Sequence, residues 1–210
     1  MIISHKHKYI FIKIAKTAGT STEIYFENLS FSHEIEHIQP ELINEEGIVG
    51  FRGSNKAKQD QQPTWYNHIT LPKIKKTLNN DKLFNEYFKF SITRNPWDRV
   101  VSAYHHFYPQ LSFNEYITSG KMIGPIAPAF KDCIDDVFFI KFENLQEGIE
   151  YVCKKLDLDY DMSNLGSYKK EHRAGSIHKH YTEYFDNKTR QIVAKKHAKD
   201  IEYFGYKFGE

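Results

Sequence analysis

Short apolar runs and amphipathic segments alternate along the chain, which predicts strands followed by helices. Residues 9–15 form a nearly continuous apolar run with β-branched and aromatic side chains, the pattern of a buried strand, and residues 22–29 then show helical spacing. The same order recurs around Pro96 and over residues 137–156, and a last helix is predicted over residues 186–201. Strands alternating with helices predict a three-layer α/β domain with a central parallel sheet flanked by helices.

The segments between these elements are mostly polar. Residues 30–66 carry several glycines and no sustained periodicity, so we expect an irregular insertion with one short helix near Glu34. A short helix is predicted over residues 70–78 and another after Ser112, which is a suitable N-cap. Residues 164–180 are basic and predict an irregular loop.

The composition is that of one globular domain, which we expect to span residues 1–210. Hydrophobic residues make up 40% of the chain and charged residues 27%, which is ordinary for such a domain. The net charge of +2 is small and no basic arm is present. We therefore expect no nucleic-acid partner.

We expect neither a signal peptide nor a membrane anchor. The first strand begins within ten residues of Met1, and no apolar run approaches the length that spans a bilayer. Cys133 and Cys153 are far apart and belong to no metal-binding pattern, so they are expected to be reduced thiols, with one disulfide as the alternative. These features predict a cytoplasmic protein.

The turn after the first strand has the chemistry of an anion site. It consists of small residues with one lysine and three hydroxyls, namely Lys16, Thr17, Ala18, Gly19, Thr20 and Ser21. A tight turn and the following helix N-terminus direct backbone N–H groups and a positive dipole end at a phosphate or sulfate, and Lys16 adds a full charge. Thr20 and Glu23 predict a capping box at that helix. The usual nucleotide motif G-x-x-x-x-G-K-[ST] is absent.

A second stretch that could bind an anion follows the next strand, in the sequence Arg-Asn-Pro-Trp-Asp-Arg that begins at Arg94. The guanidinium of Arg94 matches phosphate oxygens bidentately, and the hydroxyl of Ser102, two turns into the helix, can donate once more. The structural alternative is an ion pair between Arg94 and Asp98.

Both motifs resemble those of sulfotransferases that use 3′-phosphoadenosine 5′-phosphosulfate (PAPS). Residues 16–21 resemble the loop that binds the 5′-phosphosulfate, and Arg94 with Ser102 resembles the motif that binds the 3′-phosphate. The sequences of the two motifs are most similar to the carbohydrate O-sulfotransferase branch, which includes heparan 2-O and chondroitin types and bacterial relatives. The chain departs from that branch at Ala15, where proline is usual, and at Lys13, where histidine is often found.

The resemblance implies a P-loop-like fold and transfer of a sulfonyl group from PAPS to a hydroxyl. It favours a glycan or small sugar-containing acceptor and a bacterial protein, and it requires no metal. Residues 16–21 would bind the 5′ end of the donor, with Lys16 also catalytic, and Arg94 and Ser102 would bind the 3′-phosphate. Lys170 and Arg173 would be secondary donor contacts.

His68 is the candidate general base. It lies between the two motifs and just before a predicted helix, which is similar to the family's base position. The ordinary pKa of histidine is close to neutral, so no large shift is needed for this role. His105 and His106, after the second motif, are the competing candidates.

Three other classes remain as alternatives. A P-loop nucleotide kinase would share the fold, and a catalytically silent PAP-binding or nucleotide-binding protein would share the anion sites. The sequence His-Glu-Ile-Glu-His at residues 33–37 matches the H-E-x-x-H pattern of zinc hydrolases, although it is short and followed closely by Pro40. The acceptor and the oligomeric state are not determined by the sequence.

Overall fold

The computed structural model of the chain describes residues 1–161, 163, 165 and 179–210. These residues form two compact units, one built from residues 1–92 and 129–165 and the other from residues 93–128 and 179–210. That residues 1–210 act as a single sulfotransferase-like domain stays a prediction.

The first unit is organised around a mixed β-sheet. Within the described residues the strand order is β3-β4-β1-β2-β5-β6. The strands are β1 (Ile2–Ser4), β2 (Tyr9–Ile12), β3 (Leu42–Asn44), β4 (Gly47–Val49), β5 (Phe88–Thr93) and β6 (Val137–Lys141). Strands β2 and β5 are parallel, whereas β1 pairs antiparallel with β2 and β4, and β3 with β4.

The predicted α/β class is confirmed, and the antiparallel half of the sheet is what the sequence pattern missed. Strands β1, β3 and β4 are only three residues long each, which is too short to show a periodic pattern. The hairpin formed by β3 and β4 lies inside residues 30–66, which were predicted to be irregular. The helix expected near Glu34 is absent there, and a helix forms instead at residues 55–61.

Helices cover both faces of the sheet in the first unit. They are α1 (Gly19–Ser30), α2 (Asn55–Gln61), α3 (Leu71–Leu78), α4 (Asp81–Glu86) and α7 (Leu145–Leu156). Alternate residues of β5 point to opposite faces. Phe90 packs in the core with α1 and α7, its ring 4.8 Å from that of Phe26, whereas the ammonium of Lys89 lies 4.7 Å from the Phe84 ring of α4.

The second unit is helical around an aromatic core. Its helices are α5 (Pro96–Phe107), α6 (Phe113–Thr118), α8 (Asn187–Lys196) and α9 (Ala198–Phe204). Trp97, Tyr116 and Val193 are among its buried core residues. The predicted cap at Ser112 is confirmed as a capping box with Glu115. No helix in the described part of either unit is long and apolar enough to cross a membrane.

The single helix predicted over residues 186–201 is wrong, because the helix breaks at His197. The backbone there leaves the helical region (φ −104°, ψ 19°), and Nε2 of the buried His197 lies 3.1 Å from the carbonyl oxygen of Ile123. The carboxylate of Asp200, one turn later, accepts from the backbone N–H groups of Ile126 and Ala127. Tertiary contacts with a loop therefore decide where this helix ends.

Gly148→Ala should destabilise the first unit although alanine is the better helix former. A Cβ at Gly148 on α7 would lie 2.3 Å from Cγ2 of the buried Ile140, a stiff β-branched side chain on β6. Overpacking of this kind costs about 1–3 kcal/mol. Chemical denaturation should show that loss, whereas Gln146→Ala, at an exposed position of the same helix, should be neutral or slightly stabilising. Equal stability of the two variants would contradict the close contact.

Candidate active site

The turn between β2 and α1 has the backbone conformation of an anion-binding loop. Lys16 and Ala18 both adopt left-handed conformations, with φ angles of 65° and 62°. Alternation of right- and left-handed residues directs successive N–H groups into one concavity. Helix α1 begins at Gly19, and no side chain caps its N-terminus. The positive end of a twelve-residue helix therefore meets the turn, as an anion site requires.

The capping box predicted from Thr20 and Glu23 is wrong. Glu23 lies further into the helix and is fully buried, and its carboxylate binds the Met1 amino group, Lys13 and Arg52. Burial alone would raise the pKa of Glu23, but the three cations outweigh it and hold that pKa well below the usual 4.5. Strong charge pairing in the interior thus replaces a weaker capping contact.

This pairing explains the lysine at position 13. Lys13 is 3% exposed, and its Nζ donates to Oε2 of Glu23 over 2.6 Å and to Oδ1 of Asn67 over 3.1 Å. It is therefore an interior residue at the entrance of the loop. A buried carboxylate on the helix that leaves the loop therefore pairs with the lysine at this position.

The loop is held in shape without a proline at position 15. The hydroxyl of Thr17 donates to the carbonyl oxygen of Ile14 over 3.1 Å. A Cβ at Gly19 would lie 2.9 Å from Cγ of Lys13 and 3.0 Å from the same carbonyl oxygen, so the turn closes tightly only with glycine there. These contacts fix both sides of the turn.

The hydroxyl groups around the loop suit an anionic ligand. Thr20 and Ser21 are half-buried in the first turn of α1. Oγ1 of Thr22 is buried and has no hydrogen-bond partner among the described residues, which is unusual for an interior hydroxyl. The set of one lysine, helix amides and hydroxyls fits the oxygens of a phosphate or sulfate group.

His68 lies next to the entrance of this loop, on the turn before α3. Its backbone is left-handed (φ 61°), an uncommon conformation for a residue other than glycine. Nδ1 lies 3.2 Å from the carbonyl oxygen of Lys13. Because a carbonyl only accepts, Nδ1 carries the proton in this contact and the lone pair is on Nε2.

The pKa of His68 departs from the ordinary value of histidine. Desolvation contributes most to the change and the Lys13 ammonium adds to it, so that the pKa of His68 is lowered from 6.5 to about 4. The residue as a whole is exposed to solvent. Both contributions have the same sign, and the ring is neutral at pH 7.

The second motif lies at the carboxyl end of β5, in the second unit. The side chain of Arg94 is 5% exposed, and its Nε donates to Oδ2 of Asp98 over 2.7 Å. Ser102 is buried on α5. The ion pair considered as the structural alternative is therefore formed. Oγ1 of Thr93, just before Arg94, is buried and lacks a hydrogen-bond partner among the described residues.

Arg99, the second arginine of the motif, is a structural residue that the sequence did not single out. It is buried, and NH1 donates to the carbonyl oxygen of Gly124 over 2.8 Å. Burial lowers its pKa to about 10, which leaves the guanidinium charged at neutral pH. Arg99 thus holds the glycine-containing loop after α6 against α5.

The whole chain matches a known family. The model of the Sulfotransferase family matches residues 1–207. The chain belongs to the sulfotransferase family. It is also similar to an uncharacterised protein from Archaeoglobus fulgidus, with 33% identity over 92 residues, or 39% of this chain and 77% of that protein. No solved structure matches the chain significantly. Members of the family transfer sulfonyl groups and generally take them from PAPS.

The structure of this sulfotransferase places the site candidates in two groups. The loop and His68 lie together in the first unit, next to Lys13, whereas Arg94 and Ser102 lie in the second. Lys170 and Arg173 lie outside the described residues. The roles of all these residues in donor binding and catalysis stay predictions.

The other histidines considered, as general bases or as zinc ligands, have contacts in the sulfotransferase that differ from those of His68. Nε2 of His105 lies 2.9 Å from the hydroxyl of Tyr184 within the second unit. Residues 33–37 do not form a helix, so His33 and His37 do not share a helical face as the zinc pattern requires. Nε2 of His33 instead lies 2.9 Å from Oε1 of Glu27.

Glu23→Gln should destabilise the sulfotransferase strongly at neutral pH, because it leaves buried cations without their carboxylate. Removing one partner of a buried ion pair costs about 3–5 kcal/mol. The folded-state pKa of Glu23 is lowered, so its contribution is fully present above the unfolded value near 4.5 and is lost as the pH falls below it. Chemical denaturation should therefore show a stability difference from wild type that shrinks in acid.

Glu86→Gln is the matched control. Glu86 is 53% exposed, and its carboxylate is 4.0 Å from Nζ of Lys82 on the same helix. A surface pair of this kind contributes at most about 1 kcal/mol. A small effect of Glu23→Gln, similar to that of Glu86→Gln, would show that the buried network is not what holds the loop.

Proposed function

We propose that this sulfotransferase takes its sulfonyl group from PAPS and transfers it to a hydroxyl of a glycan or small sugar-containing acceptor, with His68 as general base. The observation that carries the proposal is the contact of His68 Nδ1 with the carbonyl of Lys13, three residues before Lys16. A candidate base and a candidate anion loop thus adjoin the same strand end. The carbohydrate acceptor is supported by the likeness of the motifs to the carbohydrate O-sulfotransferase branch.

The donor would be held at its two phosphorylated ends. Residues 16–21 offer helix amides, hydroxyls and the Lys16 ammonium to the 5′-phosphosulfate, and Arg94 with Ser102 offers charge-assisted hydrogen bonds to the 3′-phosphate. PAPS supplies a sulfonyl group on a phosphate that leaves as PAP.

His68 would accept the proton of the acceptor hydroxyl. As the acceptor oxygen forms its bond to sulfur and the bond from sulfur to the phosphate oxygen breaks, the proton moves to Nε2 of His68. Lys16 and the loop amides would stabilise the negative charge that grows on the leaving phosphate oxygen. An in-line displacement of this kind depends on positioning and charge stabilisation.

PAP should stabilise the protein far more than AMP, ADP or ATP, because only PAP carries both the 5′- and the 3′-phosphate. A ligand present at about 100 times its Kd adds about 2.7 kcal/mol to the free energy of unfolding. Thermal-shift and calorimetric titrations compare the four nucleotides directly. Equal stabilisation by ATP and PAP would contradict the donor assignment and favour a kinase, and PAP binding without transfer to any acceptor would favour a silent binding protein.

Arg94→Ala tests the 3′-phosphate site in the same titration. Loss of a charge-assisted contact of about 1.5–3 kcal/mol would weaken PAP binding roughly 10-fold to 150-fold and AMP binding hardly at all. Lys199→Ala removes an exposed cation from the same unit and should leave both affinities unchanged. If Arg94→Ala and Asp98→Asn lower stability equally and neither alters PAP affinity, the ion pair is purely structural.

His68→Ala should keep PAP binding and thermal stability near wild type but reduce turnover about 10²-fold to 10⁴-fold, the usual contribution of a general base. Because the pKa of His68 is lowered to about 4, the neutral ring persists to low pH. The base-dependent rate of the wild type should therefore fall only in acid, well below pH 6.5. This acidic limb should be missing in the variant.

His105→Ala and His106→Ala are the controls for this assignment. Both residues lie at the end of α5 in the second unit, and both variants should retain turnover. Collapse of activity in either of them, with His68→Ala active, would move the base to α5. Activity in all three would assign the proton to a carboxylate or to the acceptor itself.

A further inference from the structure

Lys13 contacts two consecutive residues of the turn that carries His68. Its carbonyl oxygen lies 3.2 Å from Nδ1 of His68, and its ammonium donates to Oδ1 of Asn67 over 3.1 Å. The same ammonium donates to Oε2 of Glu23 on α1 over 2.6 Å. One residue therefore connects the end of β2, the helix that follows the loop and the turn of the candidate base.

Packing alone does not require a charge at this position. An ammonium that is 3% exposed has lost most of its hydration, whereas an apolar side chain of similar length would fill the space without that cost. Glu23 has two further partners in the Arg52 guanidinium and the Met1 amino group. Neutralising Glu23 is thus not the whole reason for a lysine here.

The charges that face His68 come from three elements. Lys13 at the end of β2 and the Met1 amino group beside β1 oppose protonation of the ring, whereas Glu23 on α1 favours it. The carbonyl of Lys13 also favours the proton on Nδ1. Burial of the ring lowers the pKa of His68 most, and the Lys13 ammonium lowers it further.

We propose that Lys13 is a positioning residue for His68. Its carbonyl oxygen fixes the tautomer of His68 that has the lone pair on Nε2. Its ammonium keeps the His68 ring unprotonated until the ring takes the proton of the acceptor hydroxyl. The inference rests on the proposed role of His68 as base. Repulsion between the ammonium and the protonated ring then favours release of the proton to water, which restores the neutral base for the next turnover.

The tautomer is testable on the wild-type protein without donor or acceptor. Ring ¹⁵N chemical shifts of His68, assigned by comparison with His68→Gln, should show the proton on Nδ1 at pH 7. A ring protonated on Nε2 instead would overturn the inference, and this measurement needs no variant that fails to fold.

The charge is tested with a pair of variants that differ only at position 13. The double variant Lys13→Met/Glu23→Gln removes the lysine without leaving the buried carboxylate of Glu23 unpaired. The single variant Glu23→Gln is the reference for the double variant. The titration midpoint of His68 should be about one pH unit higher in the double variant than in the reference. Lys13→Arg, which keeps the charge, should leave the midpoint low, and Lys82→Met, at an 84% exposed position, should not move it.

The outcomes separate this inference from the proposed function. If His68→Ala is inactive but the midpoint is the same in the double variant and its reference, His68 is the base and the role of Lys13 is overturned. If the tautomer and midpoint behave as expected while His68→Ala keeps full turnover, Lys13 sets the state of the ring but the base assignment fails.

Discussion

The candidate active site depends on the buried ion pair between Lys13 and Glu23. One partner lies at the end of β2 and the other on α1, so the pair joins the two sides of the loop formed by residues 16–21. A buried ion pair is weak evidence for stability, because desolvation of both charges offsets much of their attraction. Its clearer consequence is geometric, because the carboxylate of Glu23 accepts a hydrogen bond from Lys13 only when the end of β2 and helix α1 keep one position relative to each other.

The fixed position of the strand end relative to the helix allows the loop to keep a strained backbone conformation. Left-handed conformations at two residues other than glycine cost on the order of 1–3 kcal/mol each. The ion pair, the Thr17 hydroxyl and the close approach at Gly19 fix the ends and the middle of the turn independently. These contacts restrict the conformations open to the loop, which would lower the cost of ordering it around the proposed anionic ligand.

The sequence predicted the elements that carry long patterns or strong local signals. The apolar run of β2, the proline at the start of α5 and the cap at Ser112 are all found as expected. Local rules failed where distant residues decide the structure. The capping box was wrong because Glu23 is recruited by buried cations, and the last helix was misjudged because His197 bonds a loop far away in the chain.

For the site itself, the motifs identified the chemistry but not the electrostatics. The sequences of the loop and of the Arg94 motif indicated phosphate and sulfate groups. The family match over residues 1–207 agrees with sulfonyl transfer. The lowered pKa of His68 was not predictable, because it results mainly from burial of the ring and further from a lysine 55 residues earlier in the chain that the fold places beside it. Spacing in sequence carries no information on such a contact.

The ion pair of Arg94 with Asp98 is compatible with both of its interpretations. A guanidinium has five N–H donors in a rigid plane, and the bond to Asp98 uses the one on Nε. A carboxylate bound to Nε restricts the orientation of that plane, which favours bidentate recognition of a phosphate. An arginine bound only to water would lose side-chain entropy on meeting its ligand. The structural pairing and the proposed phosphate contact are thus two consequences of one oriented side chain.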